Sequence, residues 1–337
     1  MHGWVRILVL GGTTFLSRAT ALAAVRRGHD VTCAARGVSG TAASGASFVQ
    51  VDRSEEYGLA PVAGHRWDAV IDVARDPDQV ARAVRDLGPV SSRFLFVSTV
   101  GVYAGWPGGD IAEDSARLEP LRTPWTGPVD YATGKVACED LVLAAIPPHR
   151  AAIVRPALIG GPGDTSGRSG YWPWRFAQAR DQRVLVPDSP GLTCQILDVR
   201  DLAQWLVVIC ERRISGVFNA AGVQTTLQKV LGLARRVAGT QAAPLPVSTQ
   251  WLLEHDVNPW MGPRSLPLWL GDDTLSAVTT CQPAVDAGLR RRPLRATLAD
   301  TLVYEQSRAE PPPHGAGLTD AEEADLINEL NAAWSSR

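Results

Sequence analysis

The chain has 337 residues, enough for about two domains, and its 45% of hydrophobic residues is ordinary for a globular protein with a sizeable core. Its 33 basic and 35 acidic residues leave a net charge of −2, which gives no electrostatic reason to expect binding to nucleic acids or membrane surfaces. Only two of the 33 basic residues are lysines, Lys135 and Lys229. Against this arginine bias, each lysine is a candidate for a specific role.

Cysteine usage and the N-terminal sequence bear on the compartment. Five scattered cysteines without a Cys-x-x-Cys pair favour a reducing interior over a disulfide framework or a zinc site. The apolar run Val5–Leu10 is too short for a signal peptide or a membrane span. We therefore expect a cytoplasmic protein with no membrane and no nucleic-acid partner.

In the first half of the chain, short apolar runs alternate with helical patterns. The predicted strands are Val5–Leu10, Asp30–Ala34, Ser47–Val51, Asp68–Asp72, Arg93–Ser98 and Ala151–Arg155. The predicted helices are Phe15–Arg27, Gln79–Leu87 and Tyr131–Ala145. Strands and helices in this alternation form right-handed crossovers, so the fold class is α/β, with a doubly wound parallel sheet covered on both faces.

The second half is richer in proline and tryptophan, with weaker periodicity. Asp201 is predicted to cap a helix that runs to about Arg212, and the strand Gly216–Asn219 is predicted to return to the main sheet. Near the C-terminus, Thr319 and Glu322 have the spacing of a capping box that begins a terminal helix.

The turn after the first strand resembles a dinucleotide-binding turn that has lost glycines. Gly11 keeps the first glycine position, whereas Thr14 and Ser17 occupy the other two, and Ser17 brings a Cβ to the place where helix and strand pack. Backbone N–H groups at a helix N-terminus hold phosphate, and these remain. A simple Gly-Gly turn fits the stretch about as well. The cofactor-binding residues predicted in this turn are Gly11, Thr13, Thr14, Phe15 and Leu16.

Charged residues after the second and third strands favour NADP. Arg36 lies where an acidic residue would bind the ribose of NAD and an arginine suits a 2′-phosphate, and Arg18 is a second candidate for that phosphate. Asp52 is placed to contact adenine, and the adjacent Arg53 is assigned to the same site. The predicted cofactor is NADP, with NAD possible. Solvated surface arginines are the alternative interpretation of Arg18 and Arg36.

Tyr131 and Lys135 form the sharpest motif. Their spacing of four places both on one face of a helix. A tyrosine with a pKa of ~10 is a poor acid or base at neutral pH, but a fixed lysine charge favours phenolate and brings the proton within working range. The same lysine can hold the nicotinamide ribose. The alternative is an ordinary helix pair at the surface.

These segments together resemble the short-chain dehydrogenase/reductases of the extended type, close to the NAD-dependent epimerase/dehydratase group. The first turn is similar to the branch that has Gly-Gly-Thr-x-Phe at this place. The residues that carry the resemblance lie between 5 and about 220: Gly11–Phe15, Arg36, Ser98–Tyr103, Tyr131, Lys135, Arg155, Pro156 and Asp198–Asp201. The resemblance implies a Rossmann-type sheet, and a monomer or homodimer.

The resemblance also implies roles for residues after three strands. Thr99 stands where the family has the Ser or Thr that polarises the reacting carbonyl. Val73 and Ala74 would line the cofactor, and Pro156 would border the nicotinamide. With Tyr131 and Lys135, Thr99 completes the predicted catalytic set.

On the substrate side, the resemblance places four aromatic residues in loops that border the cleft: Tyr103, Trp106, Tyr171 and Trp172. Aromatic side chains there suit a flat or apolar substrate, although tryptophans in proline-rich loops often only cover the core. Arg175 and Arg200 could instead serve the diphosphate of a nucleotide sugar.

The predicted domain plan follows from these assignments. Residues 1–156 form the dinucleotide-binding domain, to which 195–220 return, and residues 157–194 and 221–308 form a smaller, irregular substrate-binding domain. Residues 309–317 are a linker, and 318–335 form the C-terminal helix.

Three functions are compatible with these features. The first is an NADP(H)-dependent oxidoreductase that acts on a small, apolar or aromatic carbonyl or alcohol, with Tyr131 as general acid/base. The second is a sugar-nucleotide epimerase or dehydratase with tightly bound NAD. The third is a non-catalytic nucleotide-sensing or RNA-associated protein, which the loss of glycines favours and the Thr99, Tyr131 and Lys135 set opposes.

Overall fold

The fold is that of a computed structural model, which describes residues 4–105, 109–179, 183–272, 277–310, 312 and 315–335. Seven strands form the central sheet: β1 (Arg6–Leu10), β2 (Asp30–Ala35), β3 (Ser47–Gln50), β4 (Ala69–Asp72), β5 (Phe94–Val97), β7 (Ala151–Pro156) and β12 (Gly216–Ala220). The other strands pair two by two: β6 (Asp110–Ile111), β8 (Leu158–Gly160), β9 (Arg183–Pro187), β10 (Thr193–Cys194), β11 (Ile196–Asp198), β13 (Thr225–Thr226), β14 (Ala243–Val247), β15 (Asn258–Pro259), β16 (Ser265–Leu266) and β17 (Val278–Thr279).

The helices that cover the sheet and build the second half are α1 (Phe15–Arg26), α2 (Ala60–Ala63), α3 (Pro77–Leu87), α4 (Tyr131–Ala145), α5 (Tyr171–Gln178), α6 (Val199–Arg212), α7 (Leu227–Ala238), α8 (Thr249–Glu254), α9 (Gln282–Asp286), α10 (Leu294–Gln306) and α11 (Asp320–Ser335). Two short 3-10 helices, Val100–Val102 and Pro128–Asp130, precede the catalytic candidates on α4. In the part of the chain that the structure describes, no helix is both long and apolar enough to cross a membrane.

The central sheet confirms the predicted fold class. Its order is β12-β7-β5-β4-β1-β2-β3, and all pairs are parallel. The strand order reverses between β1 and β4, so the loops at their carboxyl ends diverge and leave a crevice. The predicted returning strand is present as β12, which pairs with β7. The sheet is therefore a Rossmann-type sheet whose switch point lies beside the glycine turn.

Two helix starts differ from the prediction. Helix α3 begins at Pro77 because proline is well suited to the first helical position and the Asp76 side chain caps Asp78 N. Helix α6 begins at Val199 with Asp198 as its N-cap, whose side chain accepts from Arg200 N at 2.8 Å. The prediction that Asp201 caps this helix is wrong. Asp201 lies in the first turn and accepts instead from Arg292.

Separate clusters of buried side chains lie in the two halves of the chain. The five inner strands of the sheet are almost wholly buried, whereas the edge strand β3 is mostly exposed, and the sheet packs against α1 and α6 on one face and α3 and α4 on the other. A further core joins α5, α7, β9, β14 and the apolar side chains of α11. The predicted capping box begins α11, because Thr319 N donates to Glu322 at 2.8 Å and Glu322 N donates to the Thr319 hydroxyl at 3.2 Å. The domain boundaries given above remain predictions.

Candidate active site

The glycine turn lies at the carboxyl end of β1. Gly11 and Gly12 have φ angles of 115° and 86°, a region that favours glycine, and a Cβ on Gly12 would collide with the Cys33 side chain. Helix α1 begins at Phe15, and the Thr14 side chain caps none of its N–H groups. The free N–H groups at the start of α1 therefore fit the pyrophosphate of a dinucleotide.

Ser17 replaces the glycine that normally lets this helix approach the strand. Its side chain is buried, its hydroxyl donates to the Thr14 carbonyl at 2.9 Å, and it faces Gly11. A Cβ on Gly11 would lie 3.2 Å from Ser17 Oγ. Because Gly11 has no side chain, the extra atoms of Ser17 are accommodated and the helix stays against the strand.

The loop after β4 lies next to this turn and is held by an ion pair. A Cβ on Gly11 would lie 3.7 Å from Val73, so Val73 lies beside the glycine turn. Arg53 forms a bidentate pair with the fully buried Asp72 at 2.8 and 2.7 Å. Asp72 also accepts from Ala74 N at 2.9 Å. The Arg53 side chain thus fixes the loop that carries Val73 and Ala74. The sequence had instead predicted Arg53 to contact the cofactor.

Arg36 directly follows β2 and Asp52 follows β3, as predicted, while Arg18 lies in the first turn of α1. Arg36 and Arg18 are both exposed, and neither forms a salt bridge with a described residue. The Asp52 carboxylate accepts from the Ser54 hydroxyl and N–H at 2.6 and 2.9 Å, and these bonds, with the Arg36 charge, lower its pKa. Arg18 Nε donates to the Thr41 carbonyl at 3.3 Å, so the Arg36 side chain and the terminal amino groups of Arg18 can meet an anion on this side of the sheet.

The structure ties the helix of Tyr131 to the strand that leads to Thr99. Tyr131 is the first residue of α4, and Lys135 lies one turn further. Lys135 Nζ donates to the carbonyls of Ala74 and Val97, both at 2.6 Å. Thr99 Oγ1 accepts from Gly101 N at 3.1 Å, which leaves the hydroxyl proton of Thr99 free to donate elsewhere.

Burial makes Lys135 an unusual lysine. Its side chain is 2% exposed, and its ammonium lies 4.5 Å from the centre of the Phe96 ring. Desolvation lowers the pKa of Lys135 to about 8, although Cys138 and Asp72 partly oppose the shift. An ammonium has three N–H donors, and two are used by carbonyls, so one remains for the phenol or for a ribose.

The lowered pKa of Lys135 predicts a pH dependence of stability. Between pH 8 and 10.5 the unfolded chain keeps the proton that the folded protein has lost, so the free energy of unfolding should rise with pH. Relative to Lys135→Met, we expect a slope of up to ~1.4 kcal/mol per pH unit. Urea unfolding of both unliganded proteins at several pH values measures the difference. Parallel pH profiles would contradict the lowered pKa.

A buried network lies beneath the site. Glu139, one turn after Lys135 on α4, is fully buried and accepts from Arg155 at 2.9 and 2.7 Å and from Arg117 at 3.1 Å. Arg155 also donates to the Tyr103 hydroxyl at 2.8 Å, which donates to Asn219 at 2.6 Å. Sequence reasoning missed this network, although the four-residue spacing from Lys135 to Glu139 indicates a shared helix face.

The predicted aromatic lining of the substrate cleft needs correction. Tyr103, Tyr171 and Trp172 are only 1–2% exposed. Tyr103 belongs to the buried network, while Tyr171 and Trp172 pack in the core of the second half, with Trp172 Nε1 donating to the Pro267 carbonyl at 2.9 Å. These three are core residues. Trp106 lies outside the described residues.

The two arginines considered for a nucleotide-sugar diphosphate are already paired. Arg175 contacts the carboxylates of Asp320 and Glu323. Arg200 bonds Asp198 at 2.7 Å and Asp300 at 2.6 Å. Neither guanidinium is free for a diphosphate.

Pro156 ends β7 at the same edge of the sheet. It is buried and pairs with Ala220 of β12. The carboxyl ends of β1, β4, β5 and β7 thus bring the glycine turn, the Val73 loop, Thr99 and Pro156 to one side of the sheet, next to Lys135.

Comparisons with known proteins agree with this geometry. Residues 75–221 match the model of the NAD dependent epimerase/dehydratase family, and this range contains Thr99, Tyr131, Lys135 and Pro156. No curated protein matches the sequence.

Solved structures share the fold at low identity. A UDP-glucose 4-epimerase is 15% identical, with a TM-score of 0.68 over 91% of this chain and 99% of the other. The enzyme WbmH of Bordetella bronchiseptica, in complex with NAD+, is 16% identical, with a TM-score of 0.64 over 91% and 100%. A UDP-glucose 4-epimerase of Thermotoga maritima, with UDP-glucose, is 17% identical, with a TM-score of 0.63 over 90% and 99%.

The comparisons thus agree with the resemblance seen in the sequence, since the matched range holds the catalytic candidates and the fold is that of these epimerases. Residues 75–221, somewhat less than half of the chain, are thus similar to the NAD dependent epimerase/dehydratase family.

Proposed function

We propose that this protein is a nicotinamide-dependent enzyme that interconverts a carbonyl and an alcohol, with Tyr131 as the general acid/base. The observation that carries the proposal is the position of Lys135: two of its donors are held by the Ala74 and Val97 carbonyls, and the third is free one turn from Tyr131. A donor held at this place is available to the phenol or to a ribose, and Tyr131 is the group in this site that can exchange a proton with a substrate oxygen.

In this proposal, different residues of the chain transfer the proton, polarise the carbonyl and bind the dinucleotide. The bound nicotinamide would supply or accept the hydride. Tyr131 gives its phenol proton to the developing alkoxide in reduction and takes it back in oxidation. Thr99, whose oxygen already accepts from Gly101, donates a hydrogen bond to the same substrate oxygen and keeps its own proton. The free N–H groups of α1 and the third donor of Lys135 hold the dinucleotide.

NADP is the proposed cofactor, because Arg36 and Arg18 are exposed and outside any salt bridge among the described residues. We expect NADPH to bind about tenfold tighter than NADH, and Arg36→Ala to remove the difference. Tryptophan fluorescence titrations with both nucleotides measure the two affinities. Arg236→Gln, an exposed arginine on α7, is the control. Equal affinities in the native protein would assign NAD instead. Binding of neither nucleotide by protein that releases no NAD on denaturation would reject both enzyme proposals in favour of a non-catalytic role.

A sugar-nucleotide epimerase or dehydratase with tightly bound NAD is the second candidate. The family match favours it, and the similar structures include epimerases, one with UDP-glucose. The pairing of Arg175 and Arg200 with carboxylates removes the arginines that sequence reasoning offered to a diphosphate. Denaturing the freshly purified protein and analysing the released nucleotides separates the candidates, because this alternative requires NAD to be retained.

The substrate class also changes from the sequence-based expectation. An apolar or aromatic substrate rested on cleft-lining aromatic residues, and the three that are described lie in the core. We retain a small carbonyl or alcohol as the proposed substrate. We no longer propose that it is apolar or aromatic.

A further inference from the structure

One arginine near the candidate active site has no carboxylate partner. Arg168 lies in the loop between β8 and α5, is half-buried, and forms no salt bridge with any described residue. Its Nε donates to Ser166 Oγ at 3.0 Å, and its guanidinium lies 5.1 Å from the centre of the Trp260 ring. Its two terminal amino groups have no hydrogen-bond partner in the part of the chain that the structure describes.

Other buried arginines have partners for their terminal amino groups, and those of Arg93 donate to the Ile214 and His149 carbonyls at 2.6 and 3.3 Å. Arg53, Arg155 and Arg175 each meet a fully buried carboxylate within salt-bridge distance. A guanidinium removed from water without such a partner is costly, and desolvation accordingly lowers the pKa of Arg168. The chain thus bears an electrostatic cost at this position, which an anion bound in the cleft would remove.

The loop that presents Arg168 is rigidly built. The buried Asp164 accepts from the N–H and hydroxyl of Ser166 at 2.9 and 2.6 Å, and from the N–H and hydroxyl of Ser169 at 3.2 and 2.8 Å. Ser166 in turn holds Arg168 Nε. The guanidinium is therefore fixed before any ligand arrives, which reduces the entropy lost on binding.

The same loop lies against the cofactor side of the site. Pro162, Gly163 and Thr165 line a cavity of about 880 Å3 together with residues of the glycine turn, and a Cβ on Gly163 would lie 3.7 Å from Phe15. The loop that carries Arg168 therefore contacts the start of α1, at the glycine turn. Against the desolvation that lowers the pKa of Arg168, the nearby Asp164 and, to a smaller extent, Tyr131 raise it.

We propose that Arg168 binds an anionic group of the substrate, a carboxylate or a phosphate, through its two free amino groups, and so places the reacting carbonyl at Tyr131. This inference rests on the proposed function, because it assigns the substrate of the same site. The planar fork of a guanidinium matches two oxygens of such a group, while the Trp260 ring supports its face. The substrate is then a small oxo or hydroxy compound that carries a negative charge.

The test is calorimetric titration with sodium malonate and, separately, sodium phosphate. The protein is first saturated with NADPH, or with NADH if only that binds, so that the cofactor's own phosphate positions are occupied. We expect at least one anion to bind, Arg168→Gln to weaken it about 10- to 100-fold, and Arg168→Lys to lie between. Arg236→Gln should leave binding unchanged. The anion that binds tells carboxylate from phosphate.

Two results would contradict the proposal. Absence of binding to the native protein, or equal binding by native and Arg168→Gln proteins, would overturn it. If Arg168→Gln does not fold by circular dichroism, Arg168→Lys decides alone, since it keeps the charge but loses the fork. If neither nucleotide binds, the proposed function fails, and the anion titrations on the unliganded proteins still test Arg168.

Discussion

Replacing Tyr131 with phenylalanine should lower turnover of any carbonyl substrate by about 100- to 10,000-fold and leave the affinity for the nicotinamide nucleotide nearly unchanged. The substitution keeps the ring at the start of α4 and removes only the hydroxyl that exchanges the proton. Lys135 stays anchored to the Ala74 and Val97 carbonyls, so its remaining contribution to nucleotide binding persists. The measurement is kcat beside the nucleotide dissociation constant for both proteins.

A matched control is present in the same chain. Tyr57 is 77% exposed and lies against Arg85 at the surface, so Tyr57→Phe removes a phenol hydroxyl outside the site. Its turnover should equal that of the native protein. Native turnover in Tyr131→Phe would show that another group transfers the proton, and a parallel loss of nucleotide affinity would show that the hydroxyl holds the cofactor instead.

Local patterns in the sequence suffice for the sheet and for the helix that carries the motif. Helix α4 runs from Tyr131 to Ala145 as predicted, because two prolines end it. The strands of a parallel sheet are buried on both faces and are therefore continuous apolar runs, such as β4 and β5. Since parallel strands end at one edge, the residues after them could be assigned to one site without further information.

The position of side chains relative to distant parts of the chain was beyond such reasoning. Tyr103 was predicted in the cleft, but its hydroxyl meets Asn219, which is 116 residues away. Asp320, a partner of Arg175, lies 145 residues away, and Asp300, which pairs with Arg200 in addition to the neighbouring Asp198, lies 100 residues away. Local spacing does not show whether an arginine has a distant carboxylate partner. The sequence therefore did not distinguish Arg168, which has none among the described residues, from the arginines that have one.

Removing the carboxylate of Glu139 should destabilise the protein by about 3–5 kcal/mol, because it leaves the buried Arg155 without a counter-charge. Glu139 is fully buried and also pairs with Arg117 at 3.1 Å, so Glu139→Ala breaks three donor contacts at once. Urea unfolding gives the free energy of unfolding of both proteins. Glu119→Ala is the control, since Glu119 is 88% exposed and its pair with Arg122, at 3.5 Å, should contribute little.

The consequence of Glu139→Ala extends to the site, because Glu139 and Lys135 share one face of α4. The pair with Arg155 joins this helix to β7, which ends at Pro156, beside the predicted nicotinamide position. If the network fixes the helix on the sheet, the substitution should weaken nucleotide binding at temperatures where the variant is still folded. A large loss of stability with native nucleotide affinity would instead show that the network contributes to stability alone. A loss of stability no larger than that of Glu119→Ala would contradict the prediction that the buried ion pair stabilises the fold.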